Sequence, residues 1–340
     1  MIPLFDAIKS FPGQFEFKPI VENSDKLKSA SSFIVAGMGG SHLAADLLLV
    51  WNSSLNLIVH SDYGLPELSD KVLKNTLVII SSYSGNTEET IDAFHSALSK
   101  KIPTAIISAG GRLIESAKEH NIPYIQLPDK GIQPRSALGL STVALLKIMK
   151  KEEALREIRK LTHLLDVGKT EDEGKKIASK IHGFIPIVYS SARNKPIAHN
   201  WKINFNETAK IPAFYNVFPE LNHNEMVSFA YKGKAEELSK YFYFIFLSDA
   251  NDYSRIRLRM EILNEEYCKR GFPVETCELY GRTVWEKIFS SLLLSNWISY
   301  YIATLYGFDP EEVKFVEEFK RLMAEKGNKI KNEKFRIKKG

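Results

Sequence analysis

The sequence predicts an α/β protein: two doubly wound parallel-sheet domains joined by a helical connector. Three observations carry that expectation. Short, β-rich apolar runs alternate with helical stretches between residues 33 and 127, a charge-rich helical segment interrupts them at 148–182, and the alternation then resumes. Strands separated by helices argue for a parallel sheet covered on both faces. At 340 residues the chain has the length of two ordinary domains. The expected division is a first domain at 1–150, a connector at 151–182, a second domain at 183–325 and a basic tail at 326–340.

In chain order, FIVAG (33–37), LNLIVH (55–60), LVII (77–80), TAIIS (104–108) and YIQL (124–127) read as strands of the first sheet. Helices are expected over HLAADLLLVW (42–51) and from Glu88 to Leu98. In the connector, Thr170 and Glu173 have capping-box spacing and predict a helix start there. The second domain offers IPIVYSS (185–191), YFYFIFL (241–247) and FPVETCEL (272–279) as strands, with helices from about Pro196 and about Tyr253. From Ile288 to Phe308 no residue is charged, a length that could span a bilayer. Four Ser, an Asn, a Thr and a Gly dilute this run, so a helix buried on all sides of a globular domain is expected instead.

Charge and cysteine content narrow the function classes. The formal charge is +5, but the tail holds seven basic residues against one Glu, which leaves the body at −1. A body so balanced, with no basic face interleaved with aromatics, does not predict nucleic-acid binding. Cys268 and Cys277 form neither a disulfide framework nor a zinc spacing, so a reducing cytoplasm is expected. The start, MIPLFDAIKSFPG, lacks the apolar core of a signal peptide, and no membrane partner is expected.

Chemistry concentrates in SSYSGNTEET (81–90), which places five hydroxyls at a strand-to-helix turn. A capping turn needs one. A helix start offers unpaired N–H groups and partial positive charge, and short hydroxyl side chains add donors, so the stretch reads as an anion cradle suited to phosphate. Upstream, GMGGSHLAADLL (37–48) is a second glycine-rich turn between strand and helix. It lacks the third glycine of a dinucleotide fingerprint, although Asp62 in HSDYG leaves a ribose-binding alternative open. The comparable turn of the second half, FLSDANDYSRI, carries Asp249 and Asp252, which would repel a phosphate. One phosphate site per chain is therefore expected.

Together GMGGS and SSYSGNTEET resemble the sugar isomerase (SIS) domain, which binds phosphosugars. With PRSALG (134–139), NFNETAKIPAF (204–214) and ELNHNE (220–225), the chain up to about residue 325 resembles the bifunctional phosphoglucose/phosphomannose isomerases. That resemblance implies that Ser41, Ser82, Ser84 and Thr87 hold the 6-phosphate, with Gly39 and Gly40 also in the substrate site. It implies Glu207 as the base moving a proton between C1 and C2, Arg135 as the cation beside the enediolate, and His223 as the ring-opening group reaching a neighbouring subunit. Lys320 is implied near the sugar ring, with Lys314 close enough to compete for that role. The partners implied are a small phosphosugar and a second copy in a homodimer with shared active sites.

These residue types suit aldose–ketose isomerisation. A partly buried carboxylate can act as base near neutrality, arginine stays charged against a developing oxyanion, and histidine can give and take protons. No cofactor is expected. His223 and Glu225, only two apart, are not a zinc-ligand pattern, and no metal is expected. Two alternatives share the cradle: a non-catalytic phosphosugar sensor, and an aminosugar-phosphate isomerase or deaminase.

Overall fold

The computed structural model describes residues 2–230, 233 and 236–337, with side chains described except at 324 and 327–337. The first half runs α1 (Leu4–Lys9), β1 (Phe33–Ala36), α2 (Gly40–Trp51), β2 (Leu57–His60), α3 (Asp70–Lys74) and β3 (Leu77–Ser81). It continues through α4 (Glu88–Ser99), β4 (Thr104–Ser108), α5 (Gly111–Glu119), β5 (Tyr124–Gln126) and α6 (Leu138–Ile148). Then come α7 (Glu152–Ile158), α8 (Leu161–Leu164) and α9 (Val167–Ile181). The second half runs β6 (Ile185–Ser191), α10 (Lys195–Glu207), β7 (Phe214–Phe218), α11 (Glu236–Ser239) and β8 (Phe242–Ser248). It closes with α12 (Ser254–Lys269), β9 (Val274–Glu278), α13 (Val284–Tyr306) and α14 (Lys314–Ile337).

Two sheets result, with strand orders β2-β1-β3-β4-β5 and β7-β6-β8-β9, and every pairing between these strands is parallel. The α/β class with two doubly wound sheets is therefore what the chain adopts. Each sheet reverses its winding once, between β1 and β3 in the first and between β6 and β8 in the second. The loops leaving those strand pairs diverge and open a crevice there, where ligands of open α/β sheets bind.

The strand period of two sorts the core. Phe33, Val35 and Ile79 of the first sheet join Val188, Ile245 and Leu247 of the second in one apolar cluster that also contains α13. Their neighbours Ile34, Val78 and Ile80 point to the outer face and pack under α4 and α5. Ile187, Tyr189 and Phe244 do the same under α12. The two halves thus share a core instead of meeting at a wet interface. All but the last two residues of the uncharged run lie in α13, which is mostly buried, as the tertiary core of both halves requires.

Three local expectations need correction. The strand β7 was not foreseen: FYNVF is a short edge strand, mostly half-buried, with a polar Asn216 in its middle. The start of α9 is capped by Asp166, whose side chain accepts from the Lys169 N–H at 2.9 Å. Thr170 lies one turn in, and its hydroxyl donates back to the Asp166 and Val167 carbonyls. An Asp earlier in the same turn captures the free N–H groups first. Finally, the basic tail expected from 326 begins inside α14; residues 338–340 lie outside the described residues.

Candidate active site

The hydroxyl turn between β3 and α4 sits at the winding reversal of the first sheet, facing the start of α2. Two of its five hydroxyls serve the backbone: Ser81 Oγ donates to the Ser41 carbonyl at 2.8 Å, and Thr90 Oγ1 donates to the Thr87 carbonyl. The other three are arranged around the turn. Ser82 Oγ lies 3.0 Å from Thr87 Oγ1 and accepts from the Gly85 N–H, while Ser84 Oγ accepts a long bond from the Asn86 N–H. Thr87 is the N-cap residue of α4, yet its side chain does not cap the helix. The first N–H groups of α4 are left for another acceptor, which is what an anion site needs. Ser41 completes the ring by accepting from the Tyr83 N–H at 3.0 Å.

Two glycines make this geometry possible. Gly85 has φ +69°, and a Cβ there would stand 1.8 Å from the Gly110 carbonyl oxygen, so the turn can close only without a side chain. Gly40 lies so close to the 134–136 turn that a Cβ would come within 2.7 Å of the Arg135 nitrogen. That contact joins the phosphate-type turn to PRSA. Buried Gln14 fixes the latter from behind, donating to the Ser136 carbonyl at 2.6 Å and accepting from the Leu140 N–H.

Arg135 crosses to the second half. Its guanidinium is 4% exposed and donates through Nε to Thr208 Oγ1 (3.2 Å), through Nη1 to Glu207 Oε2 (3.2 Å) and through Nη2 to the Pro310 carbonyl (3.0 Å). Burial works against its charge and lowers its pKa, while Glu207 and Glu311 favour it. The high intrinsic value of arginine keeps it protonated. Glu207 closes α10 with its carboxylate 40% exposed, held at one oxygen and accessible at the rest. Gly39, Gly40, Ser41, Ser82, Ser84 and Thr87 are thus gathered at one crevice, with Arg135 and Glu207 paired beside it.

Two expected site residues are not brought there within the chain. His223 ends a single helical turn after β7, is exposed, and has no hydrogen-bond, ion-pair or ring partner among the described residues. Lys320 is exposed on α14 and pairs with Glu317 at 2.7 Å. Lys314 is exposed as well and pairs with Glu312. Conversely, sequence reading passed over Thr208 and Lys210, both inside the quoted NFNETAKIPAF stretch. Their partners, Arg135 and the 310–312 carbonyls, are remote in sequence, so no local spacing signals them.

The winding reversal of the second sheet is filled from within. Ser191 donates to Asp252 Oδ1 at 2.8 Å, and Lys287 Nζ reaches Asp249 Oδ1 at 2.5 Å. Burial opposes the Asp249 charge, but Lys287, the Asn251 N–H and Asn194 outweigh it and hold that carboxyl below its usual range. Asp252 is pushed up, chiefly by burial, and its Oδ2 has no hydrogen-bond partner among the described residues. An anion arriving here would meet two carboxylates where the first half offers hydroxyls.

Comparison with known proteins gives the family. A bifunctional phosphoglucose/phosphomannose isomerase of Aquifex aeolicus is 32% identical over 324 residues, covering 94% of this chain and 98% of the relative. The chain belongs to the bifunctional phosphoglucose/phosphomannose isomerase family. The family model for the bacterial phospho-glucose isomerase C-terminal SIS domain matches residues 170–323, the half that supplies Glu207. The D-glucosamine-6-phosphate 4-epimerase of Sulfolobus acidocaldarius is 30% identical over 204 residues, 59% of this chain and 64% of that one. In fold, the chain is similar to the glucosamine-6-phosphate deaminase of Thermotoga maritima, with a TM-score of 0.61 at 17% identity over 91% of this chain and 95% of that one.

Proposed function

We propose that this member of the phosphoglucose/phosphomannose isomerase family interconverts glucose 6-phosphate and mannose 6-phosphate with fructose 6-phosphate through an enediolate. The observation that carries the proposal is the contact between Arg135 and Glu207 at 3.2 Å, beside a turn built for an anion. A sensor has use for the turn but none for a reachable carboxylate held against a buried cation.

In this reading the 6-phosphate takes the free N–H groups of α4 and the Ser41, Ser82, Ser84 and Thr87 hydroxyls, with Gly39 leaving room for the sugar and Gly40 letting the Arg135 turn approach it. His223 opens the ring. Glu207 removes the proton from C2 of the aldose, or from C1 of the ketose, and returns it to the adjacent carbon. Arg135 faces the oxygen that becomes negative, where a fixed cation stabilises the transition state more than the ground state. Proton return to either face of C2 yields either glucose or mannose configuration from one enediolate. Lys320, or Lys314 in its place, approaches the ring from α14. No metal is needed, because Arg135 supplies the fixed positive charge. Among the described residues no group of three or more His, Cys, Asp or Glu could hold an ion.

The working unit in this reading is a cytoplasmic homodimer in which His223 serves the partner's site. Two features support it: His223 has no partner among the described residues of its own chain, and α14 exposes Phe315 (81%), Phe319 (59%) and Met323 (46%) along one face. A coupled assay with each hexose 6-phosphate and with glucosamine 6-phosphate tests the proposal. Conversion of fructose 6-phosphate to both aldoses is expected. Turnover of the aminosugar alone, or tight binding without turnover, would overturn it.

A further inference from the structure

Lys210 lies three residues beyond Glu207 with its backbone in the left-handed region, at φ +61°. Few non-glycine residues accept that conformation, and here it turns the side chain back beneath the end of α10. The ammonium donates to three carbonyls: that of Glu207, that of Pro310 at 3.3 Å and that of Glu312 at 2.5 Å. An ammonium has three N–H donors, so all are committed. The Glu207 carbonyl is among those a helix leaves unpaired at its C-terminus, where a cation is favoured.

The Pro310 carbonyl also accepts from Arg135 Nη2 at 3.0 Å. A closed circuit follows. The Glu207 carboxylate meets Arg135, Arg135 meets Pro310, Pro310 meets Lys210, and Lys210 returns to the Glu207 carbonyl. The 307–313 strap that joins α13 to α14 is thereby held by two cations, both of which donate to the Pro310 carbonyl. A cavity of about 560 Å³ lies against Glu207 and Lys210 and is also lined by Phe308, Glu312 and Phe315.

We propose that Lys210 is a positioning residue for the isomerisation: it fixes the end of α10 to the strap and so holds the base at its working distance from Arg135. The proposal rests on Glu207 being the base. Lys210 itself touches no reacting atom, and the phosphate cradle lies on other elements, so its loss affects turnover and not anchoring. Its ammonium keeps this place against burial and the nearness of Arg135, both of which lower its pKa, through the opposing charges of Asp309, Glu207 and Glu312.

The test is Lys210→Met, which keeps the aliphatic stem and removes the three donors. The expected result is a kcat for fructose 6-phosphate reduced about tenfold or more, with phosphosugar affinity by calorimetry within about twofold of wild type. Lys210→Arg, which can still donate to several carbonyls, should recover part of the loss. Lys210→Gln keeps a polar donor should the Met variant not fold, and should show the same split to a smaller extent. Wild-type kcat in a folded Met or Gln variant overturns the proposal. So does a parallel fall of kcat, affinity and thermal midpoint, which is the mark of a merely structural residue. If the wild-type protein converts no hexose 6-phosphate at all, it is the isomerase reading that fails.

Discussion

A buried guanidinium needs acceptors for its N–H groups, and Arg135 finds a hydroxyl, a backbone carbonyl and one carboxylate oxygen. Of these only Glu207 is free to leave. A substrate oxygen arriving at Nη1 can replace the carboxylate without stranding the arginine, and the released carboxylate is then available as base. The hydroxyls of the cradle differ in the same manner. Ser82 is buried and shared with Gly85 and Thr87, whereas Ser84 is exposed and gives up only a long bond to Asn86. Ser84→Ala and Thr87→Ala should therefore fold normally and raise KM for phosphosugars, each lost charged hydrogen bond costing about 1.5–3 kcal/mol. Unchanged phosphosugar affinity by calorimetry would show that the anion binds elsewhere. The cradle residues were legible because they sit in two short stretches whose composition exceeds what a turn requires. Thr208 and Lys210 were not, because what makes each matter is a contact about 70 or 100 residues away.

At the scale of elements, the strands whose runs are apolar on both faces could be read directly, since a central parallel strand is covered twice. The edge strand β7 escaped because half-burial leaves FYNVF no apolar run. The turn after β8 shows how one architecture yields two outcomes. It occupies the place of the cradle, yet Asp249 and Asp252 fill it. Asp252 has its pKa raised on folding, so it favours the folded state below the unfolded carboxyl value near 4 and opposes it as pH rises through the folded value. Asp249, lowered by its partners, does the reverse and loses its contribution as pH falls. Asp252→Asn, which removes a buried negative charge beside Asp249, should thus stabilise the protein at pH 7. The gain should shrink toward pH 4. Urea midpoints at the two pH values check this, and a variant less stable at pH 7 would mean that the carboxylate is satisfied there.

At the scale of the whole molecule, the shared core fixes the two halves relative to one another, which a contact of 3.2 Å between Arg135 of one and Glu207 of the other demands. Such a contact lay beyond sequence reading except through resemblance, since nothing local to either residue names the other. His223 remains outside it. If His223 serves the partner subunit, mixing His223→Ala with Glu207→Gln should restore part of the lost activity, because one site of each mixed dimer then carries both groups. Mixed dimers that stay inactive after confirmed subunit exchange would assign the histidine to its own chain.

Glu207→Gln bears on the whole scheme. The amide preserves size and can still hydrogen-bond the sugar, but it cannot accept a proton near neutrality. Wild-type protein in deuterated water should introduce deuterium at C1 of fructose 6-phosphate or C2 of the aldoses, to the extent that the base exchanges its proton during the life of the enediolate. The variant should bind phosphosugar normally, lose that exchange, and turn over about 10²-fold more slowly or worse. Exchange and turnover at the wild-type rate in Glu207→Gln would remove Glu207 as the base and with it the proposed mechanism.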